Sequence, residues 1–365
     1  MTLIKRNSYM KNIAIIISSM GGGGTQQYIS SLIDYLANKN LRIFVYQVDY
    51  IDNTVMINKA KLVYLKNNQK GFLRNLLLIF SIRNQLKKDK IDKVISFLPK
   101  VNCISALANY GLDSQLTVCE RNDPIRQKLP IIWSILRIFS YNLAHNITAN
   151  SRFAIRFLKK WFPLKQNFYY LENYIRRDIS NYTNQKKFFT SNSEFTILAV
   201  GRLTFLKNYE ELIKAFSLIN ERQVSLIIIG NGPMKNKLNK LITFLNLESK
   251  ITLLPFKKNI SKWFKDADIH IMTSHYEGSP NVLWEASYLS VPSIVSSNIN
   301  TATEILKDNE SVLIYKAGNI KDLADKIKSL IIDQKFRKTI ANNAYKTINI
   351  LSSERVFDKW LEIID

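Results

Sequence analysis

Ile13-Ala14-Ile15-Ile16-Ile17-Ser18-Ser19-Met20-Gly21-Gly22-Gly23-Gly24-Thr25-Gln26-Gln27 is the stretch on which the fold turns. The run over 13–18 has no polar alternation and reads as a strand buried on both faces, and the four glycines read as a tight turn. Residues 26–38 follow as a helix, with Ile29, Leu32, Ile33 and Leu36 on one side, and 41–48 as the next strand. Strand, helix and second strand form the repeating piece of a parallel sheet. The alternation continues through a helix at 72–88, a strand at 93–97, a helix over 104–110 and a strand at 116–119. The first half is therefore expected to be a doubly wound α/β domain.

Between 173 and 194 the apolar periodicity gives way to Arg, Asn, Ser, Thr and Lys, as in an exposed linker. Beyond it, strands are expected at 195–200, 224–229, 251–254, 269–272 and 293–296, with helices at 208–219, 234–245, 260–265 and 281–289 between them. The expected organisation is a first domain over 1–175, a linker over 176–194, a second domain over 195–335 and a helical stretch over 336–365. Two such domains in tandem are expected to face their strand ends across a cleft, where parallel sheets bind ligands.

With 365 residues, 46% of them apolar and 22% charged, the chain is long enough for two cores and has an ordinary globular composition. Its net charge of +23 is uneven: residues 1–180 carry 27 Lys and Arg against 10 Asp and Glu, residues 181–365 carry 25 against 19. A field of that sign concentrates anionic partners, whether nucleic acid, lipid headgroups or a phosphate-bearing substrate, and does not choose among them. Cys103 and Cys119 lie in apolar surroundings without metal-ligand spacing, and three histidines supply no zinc cluster. A reducing cytoplasm is the expected setting. Lys5, Arg6 and Lys11 precede an apolar stretch, as in a signal peptide, but 13–17 is shorter than the ~7–15 residues of an h-region and runs into the glycine turn. No run approaches the ~18 apolar residues of a membrane-spanning helix. The expectation is a soluble or peripherally attached protein.

Chemistry concentrates in Ser274-His275-Tyr276-Glu277-Gly278-Ser279-Pro280-Asn281-Val282-Leu283-Trp284-Glu285-Ala286, where two glutamates flank seven residues at a strand-to-helix turn. Gly278 lets backbone approach a ligand, Pro280 suits a first turn, and the helix's free amides form an anion site. Taken by themselves, Glu277 is equally a loop carboxylate and Glu285 a residue complementing the helix dipole. Val200-Gly201-Arg202-Leu203-Thr204-Phe205-Leu206-Lys207-Asn208 also joins a strand to a helix, and its two cations alone are consistent with a solvated loop.

Together the two stretches resemble the donor-binding signatures of the family-4 retaining glycosyltransferases, and the resemblance runs over residues 13–327, densest over 195–297. It implies the GT-B fold: two Rossmann-like doubly wound parallel-sheet domains, with the C-terminal helix packing back on the first. It also implies catalytic roles for Arg202, Lys207 and Glu277, the first two on the pyrophosphate and the third near the transferred sugar. A planar forked donor beside a point cation suits the charge that develops on a leaving phosphate. Gly278, Ser279, Pro280, Asn281 and Val282 would line the donor, and Glu285 would hold its ribose. Gly232, in the Gly-x-Gly-Pro turn 230–233, and the 253–259 stretch resemble loops at the nucleotide end, although Pro255 stands where the family has glycine. Gly22 and Gly23 would approach the donor and Gly24 the acceptor; Gln26 and Gln27 replace the acid and base that relatives carry there.

Glu120-Arg121-Asn122-Asp123-Pro124 resembles a run in polysaccharide and lipid-linked-oligosaccharide members, which puts Arg121 and Asn122 on the acceptor side. An internal ion pair of Arg121 with Glu120 or Asp123 is the alternative. Asp266-Ala267-Asp268 has the form of another architecture's metal motif but falls where a helix ends and a strand opens; no metal or other cofactor is expected. His270 is expected in the core, whereas His275, beside Tyr276 and Glu277, is a candidate to line the sugar pocket or else a loop residue outside it. Pro130-Ile131-Ile132-Trp133-Ser134-Ile135-Leu136-Arg137-Ile138-Phe139, with Arg152, Arg156, Lys159, Lys160 and Trp161, suits an interfacial helix on an anionic membrane, or else a core helix with a basic solvated face.

The implied reaction is transfer of a hexose or N-acetylhexosamine from a nucleoside-diphosphate sugar, with uridine diphosphate as the expected carrier. The acceptor is a saccharide, expected to be lipid-diphosphate-linked, in bacterial surface polysaccharide (O-antigen or capsule) assembly at the inner face of the cytoplasmic membrane. Two other readings stand beside it. One is an NAD-type oxidoreductase, with Asp49 as ribose ligand but Gln27 where the third fingerprint glycine belongs. The other is a non-enzymatic basic module for membrane or nucleic acid, which accounts for the charge but not for Arg, Lys and paired Glu at successive strand ends. No nucleic-acid partner is expected.

Overall fold

The structure, a computed structural model, describes residues 10–21, 24–49, 59–65, 69–127, 129–175, 179, 194–221, 223–349, 351 and 353–365. The chain divides into two compact units, one formed by 1–172 with 356–365 and the other by 173–355.

In the first unit the described strands are β1 (Asn12–Ile17), β2 (Arg42–Gln47), β3 (Lys61–Tyr64), β4 (Lys93–Phe97), β5 (Gln115–Glu120), β6 (Asn146–Ala149) and β7 (Phe168–Tyr170). They form one parallel sheet in the order β3-β2-β1-β4-β5-β6-β7. All six residues of β1 are buried, as expected of a central strand covered on both faces. The Gly24–Leu36 helix carries the chain from β1 outward to β2. The helices Gly71–Lys88, Pro99–Asn109, Ile131–Leu143 and Arg152–Trp161 carry it in the opposite direction, from β3 across to β7. Right-handed crossovers therefore put the first helix on one face of the sheet and these four on the other. Pro99–Asn109 packs against both Gly71–Lys88 and Ile131–Leu143.

The helical pattern over 336–365 resolves into two helices. Gln334–Ile348 belongs to the second unit, and Ser353–Ile364 enters the first from Val356 onward. Trp360, fully buried, donates from Nε1 to the Tyr28 hydroxyl at 2.8 Å, and the Phe357 ring meets those of Tyr28 and Tyr35. Lys359 adds a pair to Glu172 at 2.6 Å.

The second unit holds β8 (Phe195–Val200), β9 (Val224–Ile229), β10 (Ile251–Leu254), β11 (Ile269–Met272), β12 (Ser293–Ser296) and β13 (Leu313–Tyr315), parallel throughout in the order β10-β9-β8-β11-β12-β13. Five of these strands keep the bounds read from the sequence. The Asp266-Ala267-Asp268 stretch does close the Ser261–Asp266 helix and open β11. The Asp268 carboxylate accepts from Thr196 N at 2.9 Å, so the motif clamps β11 to β8. Four strands, β3, β6, β7 and β13, went unread: β7 and β13 have three residues, and β3 and β6, at four, open on Lys61 and Asn146 and hold no run of three aliphatic residues. The expected linker lies mostly outside the described residues.

Candidate active site

In the second unit the signature residues gather where β8, β9 and β11 end. After β8, Gly201 and Arg202 lead into a single helical turn, Phe205–Lys207, and then the Tyr209–Phe216 helix. Two bonds tie that turn to the end of β11: Thr273 Oγ1 donates to Lys207 O at 2.8 Å, and His275 N donates to Leu206 O at 2.9 Å. Lys207 Nζ thereby lies 2.6 Å from Glu277 Oε1, and both side chains are more than four-fifths buried. A bond of that length between ammonium and carboxylate is charge-assisted. Lys207 retains two further N–H donors on its ammonium. Arg202, at the end of the same strand β8, is exposed.

Beneath this pair sits a residue that sequence reasoning missed. The Tyr209 hydroxyl is buried and has no hydrogen-bond partner among the described residues. It lies 2.8 Å from where a Cβ on Gly201 would stand, next to the Lys207 side chain. Burial first, and then the Glu277 charge, push its pKa well up, so it stays a neutral donor. The sequence signal was adjacency alone: Tyr209 follows Asn208 at the close of the Gly-Arg-Leu stretch.

The loop after Glu277 turns directly into the Asn281–Tyr288 helix. Pro280 occupies its N-cap, and the amides of Leu283 and Trp284 bond back to Pro280 O. Ser279 Oγ accepts from Trp284 Nε1 at 3.3 Å, and the Asn281 side chain accepts from Asn173 at 2.6 Å. Gly278 and Val282 are half-buried in this turn, and Glu285 is buried one turn further on. Gly232 has a packing reason for being glycine, since a Cβ there would lie 2.3 Å from Leu203 O; at Gly230 it would lie 1.9 Å from Gly201 O. Those two glycines let the loops after β8 and β9 touch backbone to backbone, with Leu203 N donating to Asn231 O at 2.8 Å.

His270 is wholly buried on β11, edge-on to Phe264 and 3.1 Å from Ser293 Oγ. Burial, helped by the charge of Lys207, pulls its pKa down to about 3, which fixes it as a neutral core histidine. His275 instead lies half-buried against the exposed Phe205 ring, with 4.8 Å between centroids.

In the first unit, Gly24 begins the Gly24–Leu36 helix after β1, and Arg121 and Asn122 follow β5, so all three stand at the carboxyl edge of the sheet. Gly22 and Gly23 lie outside the described residues. Arg121 is buried: its guanidinium stacks over the Tyr28 ring at 3.8 Å and donates to Leu171 O at 3.3 Å. Asp123 Oδ1 accepts from the amides of Ile125 and Arg126, which curls the chain beyond it.

Glu120 pairs with the guanidinium of Arg137, at 2.7 Å, with both side chains no more than 2% exposed. Tyr141 donates to the same Glu120 oxygen at 3.1 Å, and Asn102 donates to Tyr141 at 2.8 Å. This overturns the reading of Arg137 as a surface cation on an interfacial helix; it is a core residue that fixes the base of the Arg121 loop. Among the described residues no group of three or more His, Cys, Asp or Glu is placed to hold a metal ion.

Residues 181–347 match the family model described as "Glycosyl transferases group 1". The chain is 26% identical to the amylovoran biosynthesis glycosyltransferase AmsD of Erwinia amylovora, over 98% of its own length and 100% of the relative's. It is 24% identical, over 97% and 98%, to a Campylobacter jejuni N-acetyl-D-galactosaminyltransferase named for a GalNAc-bearing, diphospho-undecaprenol-linked glycan. Anabaena HepE, crystallised with UDP and glucose, shares the fold with a TM-score of 0.79 at 18% identity, covering 97% of this chain and 99% of that one. The chain thus has the two-unit GT-B fold, its second half matches the group-1 glycosyl transferase model, and the relatives it matches over its full length are named as bacterial glycosyltransferases.

Proposed function

We propose that this glycosyltransferase moves a hexose or N-acetylhexosamine from a uridine-diphosphate sugar to a lipid-diphosphate-linked saccharide, with retention of anomeric configuration, at the inner face of the cytoplasmic membrane. The observation that carries the reading is the Lys207–Glu277 pair ahead of the Asn281–Tyr288 helix, with Arg202 exposed at the end of β8, the strand that also leads to Lys207. Lys207, Arg202 and the helix amides bind the diphosphate, with Gly278 to Val282 along it; Glu277 faces the sugar and Glu285 the ribose. The acceptor hydroxyl attacks the anomeric carbon on the side from which the phosphate departs. The carbon–oxygen bond to phosphate breaks, the bond to acceptor oxygen forms, and the leaving phosphate takes the acceptor's proton. Gly24, Arg121 and Asn122 serve the acceptor. The relatives support the choice of ligands: HepE was crystallised with UDP and glucose, and the Campylobacter enzyme is named for an undecaprenol-linked glycan.

Removing one preorganised donor to a developing oxyanion costs ~2.7–4 kcal/mol. Lys207→Ala and Arg202→Ala are each expected to lower turnover at least tenfold, the exposed Arg202 with the thermal midpoint held and Lys207, which leaves the Glu277 carboxylate without its partner, with a lowered one; near-wild-type rates in both would remove the mechanism. Because cations and amides carry the diphosphate, chelator is expected to leave the rate unchanged. A strict requirement for added manganese or magnesium would contradict that part.

A further inference from the structure

The Ile131–Leu143 helix is turned inside out. Its single charged residue, Arg137, faces the core with Ser140 and Tyr141, while Ile131, Ile132, Ile135, Ile138 and Phe139 face outward, from 47% to 80% exposed. A helix on a water-facing surface shows the opposite arrangement. On the same face of the sheet, Gly71–Lys88 buries only the narrow stripe Leu78, Ile82 and Leu86, and exposes Phe72, Leu73, Leu76, Leu77 and Phe80. Pro99–Asn109 lies between the two and adds exposed Leu107, with Tyr110 just beyond its end. Apolar exposure on this scale, across neighbouring helices, marks a surface that is covered in use.

Charge identifies the cover. Residues 65–88 contain six Lys and Arg and no acid, and residues 124–171 contain seven besides the core Arg137 and no acid. Arg152, Arg156, Lys159 and Lys160 are exposed on the next helix of the same face. A second copy of this chain would bring like charge against like charge. An anionic lipid surface offers both a negative headgroup layer and an apolar layer beneath it.

We propose that the first unit seats on anionic bilayers by inserting the outward apolar stripes of Gly71–Lys88 and Ile131–Leu143, with the Arg152–Trp161 helix on the headgroups. The inference deepens the lipid-linked-acceptor reading and rests on it for its purpose. In a parallel α/β sheet the helices start at the carboxyl edge, and the outward apolar positions begin at the first turn of both helices, at Phe72 and at Ile131, the most exposed of each stripe. The inserted patch therefore lies at the edge that holds Gly24 and Arg121, which brings a lipid-borne sugar to the acceptor residues. Insertion also predicts binding that salt weakens but does not abolish, because only the headgroup contacts are screened.

Co-sedimentation of the full chain with phosphatidylcholine vesicles, with and without phosphatidylglycerol, at low and high salt tests the surface. Wild type is expected to bind the phosphatidylglycerol vesicles and to keep part of that binding at high salt. The combined Phe72→Ser, Phe80→Ser, Ile131→Ser and Phe139→Ser variant is expected to bind at least tenfold more weakly at both salts. Phe244→Ser, which removes an equally exposed ring from the second unit, is expected to bind as wild type. The thermal shift on adding UDP is read in every variant. It stays unchanged if only the surface is wrong and is missing from wild type if the transferase reading is wrong. Wild-type vesicle binding by the combined variant overturns the proposal. So does a wild type that ignores vesicles, including one that is a dimer the combined variant makes monomeric.

Discussion

Arg137 shows how far one residue's role departs from its local context. In sequence it stands among isoleucines and aromatics and counts as one more cation in a basic half, yet it is the partner of a fully buried carboxylate. Burial alone would push the Glu120 pKa up and favour the neutral acid, and the guanidinium 2.7 Å away opposes that push. Breaking such a pair by removing one partner costs about 3–5 kcal/mol, because the other charge is stranded, whereas replacing both by apolar groups is often neutral. Arg137→Met is expected to lose stability of that order in denaturant titration, and the Glu120→Met, Arg137→Met double variant to regain most of it. A single variant as stable as wild type would show that Glu120 is already protonated in the native protein.

At the scale of the element, β11 is a short strand whose buried histidine makes stability depend on pH. The His270 pKa falls from 6.5 to about 3 on folding, so between those values the unfolded chain binds a proton that the native one refuses. Its contribution is whole above pH 6.5 and is lost progressively as pH falls from there toward 3. The thermal midpoint of wild type is expected to drop on acidification across that window, and to drop less in His270→Asn; parallel curves for the two proteins would assign the acid sensitivity elsewhere. The strand itself was plain in the sequence, as were β8, β9, β10 and β12, because each is a short, mostly aliphatic stretch standing between two helical patterns. Orientation was not plain. The 131–143 stretch reads equally well with either face inward, since the hydrogen bonds of Arg137 run to Glu120 and the packing of Tyr141 to Phe162, both distant in sequence. The same limit hid Tyr209: the order of residues after Gly201 carries Arg202 and Lys207, but not which hydroxyl folds beneath them.

For the whole molecule, the expected break at the linker separates the units only in part, because residues 356–365 belong with 1–172. Hydrophobic periodicity marks a helix there, while its destination depends on Tyr28, Tyr35 and Phe97, more than 250 positions earlier in the chain. Replacing a buried Trp by Ala typically costs about 3–5 kcal/mol. Trp360→Ala is expected to destabilise the first unit by that order in equilibrium unfolding, and a change below ~1 kcal/mol would mean that the helix is an ornament to its packing.

The return of the Ser353–Ile364 helix also sets an order of events during synthesis. The 173–355 unit is a continuous stretch and has all its strands once it is made, whereas the sheet begun by β1 lacks Trp360 and Phe357 until everything in between has been translated. Domains commonly fold in the order they emerge from the ribosome. Here the half made first is completed second, and until then the aromatic bed formed by Tyr28, Tyr35 and Phe97 lacks its cover from Phe357 and Trp360.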